Sequence, residues 1–197
     1  MDNDSRLKLI EAATILFAQK GLAGVSIREI AKQAGVNSAL ISYHFEGKEG
    51  LYAAVLEHQL FFMSEIVKRI NNDHLSPSEQ IKEYASAVLG LHQRSPMLVR
   101  FIYSELFNPS PCFEMMKQKF FAKLFQALKG IITDGIVKRQ FRADLNPEKA
   151  VISLVGIMNF YFISRPITKN IITEDASDQQ YIDQAVEIYL RGIVRRG

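Results

Sequence analysis

The chain is punctuated for helices from end to end, which leaves little room for any other fold class. All six prolines fall where a helix is expected to start or stop. Pro77, Pro96, Pro111 and Pro147 each directly follow Ser or Asn. That pairing opens helices because the Ser or Asn oxygen caps a free N–H, while proline at the first position has no N–H to leave unsatisfied. Pro166 is expected to stop the helix that begins near Ala150. Ser26 with Glu29, Ser76 with Glu79, and Ser177 with Gln180 have the spacing of reciprocal capping boxes. Apolar residues recur at steps of three and four, as in Leu7, Ile10, Thr14 and Phe17, with Ala13 and Leu16 widening the stripe. No long apolar–polar alternation and no Asn-Gly or Asp-Gly hairpin turn occurs. The expectation is an all-α protein of about nine helices.

Composition narrows the function classes. Hydrophobic residues make up 48% and charged residues 23% of 197, a composition that buries a core rather than staying disordered. The single cysteine, Cys112, rules out an intrachain disulfide and a paired-cysteine metal site, and with no histidine near it in sequence it is expected to be inert. The longest stretch without a charge covers residues 150–164, shorter than the roughly 20 residues a membrane crossing needs, so a buried helix is expected there. The opening Met1-Asp2-Asn3-Asp4 is acidic where a secretory signal is basic, so a soluble, cytoplasmic chain is expected. No phosphate loop, nucleophile elbow, HExxH or paired-carboxylate spacing is present, so neither enzyme chemistry nor a cofactor is expected. His58 and His74 read as surface or partly packed residues rather than ligands.

Helix length divides the chain. Residues 1–47 hold short helices with tight connections. One long connecting helix, over about residues 48–71, then leads into a larger helical body that runs to residue 197. The chemistry concentrates in residues 26–51, SIREIAKQAGVNSALISYHFEGKEGL. A helix starting at Ile27 puts Ile27, Ile30, Ala31 and Ala34 on one face, Gly35 permits a reversal, Val36 fills the corner, and Asn37 caps a second short helix. In that helix Ile41 and Phe45 face inward, leaving Ser38, Ala39, Ser42 and Tyr43 outside. Two short helices joined by a glycine turn form a helix-turn-helix, whose second helix enters the DNA major groove.

This segment, preceded by LIEAATILFAQKGLAGV, resembles the N-terminal domain of the TetR (tetracycline-repressor-like) family of transcriptional regulators. The resemblance covers about the first quarter of the chain; the remainder is similar only in architecture. It implies double-stranded DNA as partner, with Arg28, Ser38, Ala39, Leu40 and Ser42 placed for base readout. It places Ser26, Tyr43, His44 and Lys48 at phosphate-contacting positions. The recognition face departs from the common pattern, since many members carry glycine where Ala39 stands and tyrosine where Ser42 stands. Small and apolar groups here suit thymine methyls and weak hydroxyl contacts. Charge adds no broad basic patch: residues 1–70 hold eight Lys and Arg against eight Asp and Glu, so the net +3 lies in the body.

A two-fold DNA site calls for a homodimer. The expected seam uses Val151, Leu154, Val155, Met158 and Phe162 of one late helix with Ile182, Val186, Tyr189 and Ile193 of the other. The resemblance also implies a small-molecule effector in the body. The middle of the chain is rich in Leu, Met and Phe, which suits an apolar or amphipathic ligand, and Tyr84, His92, Arg100, Tyr103 and Asn159 are the candidate polar lining. The implied function is a repressor that the effector releases from a palindromic operator. The alternative is a nucleoid-type DNA binder without effector control.

Overall fold

The structure, a computed structural model, describes residues 2–168, 171 and 177–195, with side chains from Asp4 onward. Its helices are α1 (Asp2–Lys20), α2 (Ile27–Ala34), α3 (Ala39–Phe45), α4 (Lys48–Ile70), α5 (Pro77–Arg94), α6 (Leu98–Phe107), α7 (Phe113–Met116), α8 (Ala122–Val137), α9 (Pro147–Thr168) and α10 (Asp178–Ile193). A π-helical stretch, Lys117–Phe121, carries α7 into α8 without a break, so among the described residues ten segments make nine rods. Extended pairing among these residues amounts to one antiparallel bridge between Phe141 and Val194.

The caps act largely as the sequence implies. Ser177 and Gln180 form a full capping box at the start of α10. Ser76 and Glu79 do the same for α5, the carboxylate accepting the Ser76 N–H at 2.7 Å. At Ser26 only half of the box forms: its Oγ accepts the Glu29 N–H at 3.2 Å, while the Glu29 carboxylate turns to Lys20. Asn146 caps α9 through the Lys149 N–H at 3.0 Å. Helices α6 and α7 begin two residues after Pro96 and Pro111, because the Ser95 and Ser110 carbonyls first close a turn with the N–H groups of Leu98 and Phe113, both at 3.0 Å. Pro166 does not end α9, which continues to Thr168. The ring removes only the bond to the Phe162 carbonyl, one turn from the helix end, where few further bonds depend on it.

By packing, the chain divides into two compact units, Met1–Phe61 with Ser95–Lys119, and Phe62–Arg94 with Phe120–Gly197. This division falls inside α4, whose first half groups with α6 and α7.

In the first unit α1 packs on α2 and α3. Its buried stripe is Leu9, Ile10, Ala12, Ala13, Leu16 and Phe17, whereas Leu7 lies half in solvent. Tyr52 of α4 sits in this core, its ring edge-on to Phe17 at 5.0 Å and tilted toward Phe101 at 6.2 Å. Its hydroxyl donates at 2.7 Å to Glu105, a carboxylate only 1% exposed. The other Glu105 oxygen accepts the N–H and the hydroxyl of Ser110 at 3.1 and 3.0 Å. Burial, and after it this carboxylate, push the Tyr52 phenol far above its ordinary pKa. A buried charge with its oxygens satisfied in this way is tolerated, and it fixes the loop after α6 to α4.

In the second unit α5 is the central rod, packed on α8, α9 and α10. Gln80 closes the end of α4 by donating to the Ile70 carbonyl at 2.9 Å, one of the carbonyls a helix terminus leaves free. Helix α9 has the length and apolarity of a membrane span. Here, however, one face packs on α5, α8 and α10, and Tyr189 of α10 donates to its Ala150 carbonyl at 2.8 Å.

Candidate nucleic-acid interface

The interface is built around one backbone reversal. Gly35 adopts the left-handed region (φ 67°, ψ 32°), its N–H reaching the Lys32 carbonyl at 3.3 Å, while the Val36 N–H reaches the Ala31 carbonyl at 3.1 Å. These two bonds make a Schellman closure, which favours glycine because a Cβ is strained at positive φ. A Cβ at Gly35 would meet nothing within 4 Å, so the requirement is conformational rather than steric. Beyond the turn, the Asn37 Oδ1 accepts the Ala39 N–H at 2.8 Å and starts α3. Ser38 makes no capping bond, so its hydroxyl is not used by the helix.

Ile41 and Phe45 are buried one turn apart and hold α3 onto the core. The opposite face is in solvent: Ala39 and Ser42 are exposed, Ser38 and Leu40 partly so, and Tyr43 is 72% exposed. Ser26 and Arg28, at the start of α2, are also exposed. His44 departs from its expected presentation. It is half-buried, its ring meets those of Tyr43 and Phe45 at 4.9 and 5.9 Å, and its Nε2 is covered. Facing sideways off α3, it packs under Tyr43 instead of standing out beside it.

Lys48 is only partly free. Its ammonium donates to the Val25 carbonyl at 3.2 Å, fastening the start of α4 to the start of α2. An ammonium has three protons, so two remain for an anion. Ion pairs occupy Lys8 with Asp4 and Lys20 with Glu29, whereas Arg28 and Lys32 on α2 have no acidic partner among the described residues. A segment neutral by count thus still leaves Arg28 and Lys32 on α2 without an acid among the described residues. Sequence reasoning missed Arg6, whose guanidinium lies over the Phe45 ring at 5.3 Å. Nothing in the spacing of α1 marks it.

In the second unit, three of the five candidate effector-lining residues meet. The His92 ring stacks on Phe162 at 3.9 Å and its Nε2 bonds the Asn159 Oδ1 at 3.0 Å. Asn159 also donates to the Val155 carbonyl at 2.9 Å and bonds the buried Tyr84 hydroxyl. Burial lowers the His92 pKa and raises that of Tyr84. Arg100 and Tyr103 do not join them: both lie on α6 in the first unit, Arg100 exposed and Tyr103 stacked on Phe107 at 5.9 Å. Phe107 is itself exposed. Two clefts open on the second unit, and none of the five lines either.

The expected dimer seam is also corrected. Val151, Leu154, Met158, Phe162, Ile182, Val186, Tyr189 and Ile193 are buried in the chain's own core, and Val155 is half-buried. Burial takes the Tyr189 phenol up to about 12. The apolar groups left in solvent are on the outer faces: Ile152, Phe160 and Ile167 of α9, and Ile188 of α10. Cys112 is buried, and burial raises its thiol pKa, which leaves it little reactive thiolate.

Residues 9–55 match the family model described as bacterial regulatory proteins, tetR family, and residues 77–191 match that of the tetracyclin repressor-like C-terminal domain. The chain is 26% identical over 195 residues to the probable HTH-type transcriptional regulator YttP of Bacillus subtilis (strain 168), covering 96% of this chain and 94% of that one. It is 25% identical over 198 residues to the HTH-type transcriptional repressor NicS of Pseudomonas putida, covering 97% and 93%. Among solved structures, a Clostridium perfringens putative fatty acid metabolism regulator superposes with a TM-score of 0.81 at 22% identity, covering 96% of this chain and all of that one.

Proposed function

The chain belongs to the TetR family of bacterial regulatory proteins, and from that premise we propose that it is a homodimeric repressor of a palindromic operator, released by a small apolar or amphipathic effector. Its family and relatives are transcriptional regulators, not enzymes. The observation that carries the proposal is the α3 face held out behind Gly35, with Tyr43 in solvent and no core function to perform there.

Ser38, Ala39, Leu40 and Ser42 read base edges in the major groove, and Arg28 reaches a base or a phosphate. Tyr43, Ser26 and the two remaining protons of Lys48 hold phosphates, while His44 braces Tyr43. Hydroxyls and helix N-termini suit phosphate without a large net charge. Repression rather than activation is supported by the relative named a repressor.

Two copies meet through the outer faces of α9 and α10, where Ile152, Phe160 and Ile188 offer an apolar surface that a monomer has reason to cover. The two recognition helices then sit about 34–36 Å apart, one turn of DNA. The effector enters beside Tyr84, His92 and Asn159, its polar group replacing the His92–Asn159 bond. Because α4 runs through both compact units, ordering one end of it biases the other.

Footprinting on the chain's own upstream DNA tests this. A short protected stretch with two-fold symmetry supports the proposal. Unbroken protection along any duplex would replace it with a nucleoid-type binder.

A further inference from the structure

Two short segments far apart in sequence hold the body's surplus charge. Residues 138–142 and 191–196 contain six of the sixteen Lys and Arg found after residue 70, and no acid. The fold pins these segments together at the Phe141–Val194 bridge. The Arg142 N–H donates to the Ile193 carbonyl at 2.9 Å, and the Arg195 N–H to the Gln140 carbonyl at 3.0 Å. Between them opens a cleft of about 670 Å³, with Ile136 and Ala143 as its apolar side, the buried Phe141 beneath, and Arg139, Arg142 and Arg195 around it.

Most neighbouring cations are already satisfied. Lys138 pairs with Asp134 at 2.8 Å, and Arg191 with Glu187. The arginines of the cleft differ. Arg142 is held only loosely, 3.7 Å from Asp144, and Arg139 and Arg195 have no acidic partner among the described residues. Arg139 also sits at φ 58°, a left-handed backbone that glycine or asparagine would adopt with less strain. Three guanidinium groups and one carboxylate leave the lining with a formal charge of +2.

We propose that this cleft binds the phosphate monoester of a small organic molecule. Such a group carries about −1.5 to −2 charges at neutral pH and offers three acceptor oxygens, which match the net charge and the forked donors of arginine. A monocarboxylate supplies half that charge, and a phosphodiester of nucleic acid carries one charge per unit on a long convex strand. Ile136 and Ala143 take the carbon skeleton. None of its lining residues belongs to α3 or to the His92–Asn159 pair, and the proposal does not depend on either assignment.

Titration calorimetry of the full chain with phenyl phosphate at constant ionic strength tests it. The expected result is saturation at one ligand per chain. Arg139→Ala with Arg195→Ala should lower affinity at least tenfold at an unchanged melting temperature, since both side chains are exposed. Arg139→Lys should cost less, because charge is kept and only the fork is lost. Affinity should fall about fourfold from about pH 7.5 to 5.5, as the ester dianion takes up one proton near pH 6. Equal binding by the double variant, equal binding of benzoate or dimethyl phosphate, or no saturation would overturn the proposal. So would a random-sequence duplex that displaces phenyl phosphate at equal phosphate concentration, which would make the cleft a nucleic-acid surface.

Discussion

Replacing Lys48 by alanine removes a donor from the Val25 carbonyl as well as a partly exposed cation at the start of α4. The expected outcome is a loss of stability of about 1 kcal/mol and weaker binding to all DNA sequences alike, with the salt slope reduced by about one phosphate. Thermal melting and binding isotherms at several salt concentrations check both effects, and an unchanged salt slope would remove Lys48 from the phosphate clamp. Gly35→Ala is a different kind of change, since space is open and only the dihedral angle resists. It should cost about 1–2 kcal/mol, lowering the melting temperature by about 2–4 °C per kcal/mol in a chain of this size. Substitutions at Ala39 or Ser42, which touch no core, should leave melting unchanged and alter which operator is preferred.

At the scale of elements, the pairing of α5 with α9 carries a pH dependence. Burial holds the His92 pKa below its ordinary 6.5, so between the two values the unfolded chain binds more protons than the folded one. Stability is therefore intact above pH 6.5 and is lost as pH falls through the lowered value. Wild type should lose more melting temperature between about pH 7.5 and 5 than His92→Gln, which removes the titrating group. Equal losses would place that dependence elsewhere. Helix positions were legible in the sequence because caps are local: Ser76, Asn146 and Ser177 act within one turn. Which face of an apolar helix turns inward was not legible for α9, where both faces are apolar. The i, i+3, i+4 stripe through Val151, Leu154 and Met158, which the spacing offered as the seam, is the buried one, and the exposed Ile152 and Phe160 fall on the face that the same pattern leaves out. In α3 only one face is apolar, so Ile41 and Phe45 could be read inward and Tyr43 outward from spacing alone. His44 could not, because its packing depends on ring contacts that spacing does not encode.

For the whole molecule, affinity for a two-fold operator depends on assembly. Phe160→Asp with Ile188→Asp places charge on the outer faces of α9 and α10 while leaving the core residues beneath untouched. Sedimentation should show a monomer that remains folded and binds operator at least tenfold more weakly; a dimer of unchanged stability would move the seam to another surface. The central claim, that α3 is held out behind Gly35 to read DNA, is tested most directly by selecting bound fragments from a pool of random duplexes. The account predicts a two-fold symmetric motif with half-site centres about 10 base pairs apart or a multiple of that, whose preferred bases shift when Ala39 or Ser42 is changed. Recovery of no shared motif, or of a motif indifferent to both residues, would contradict it.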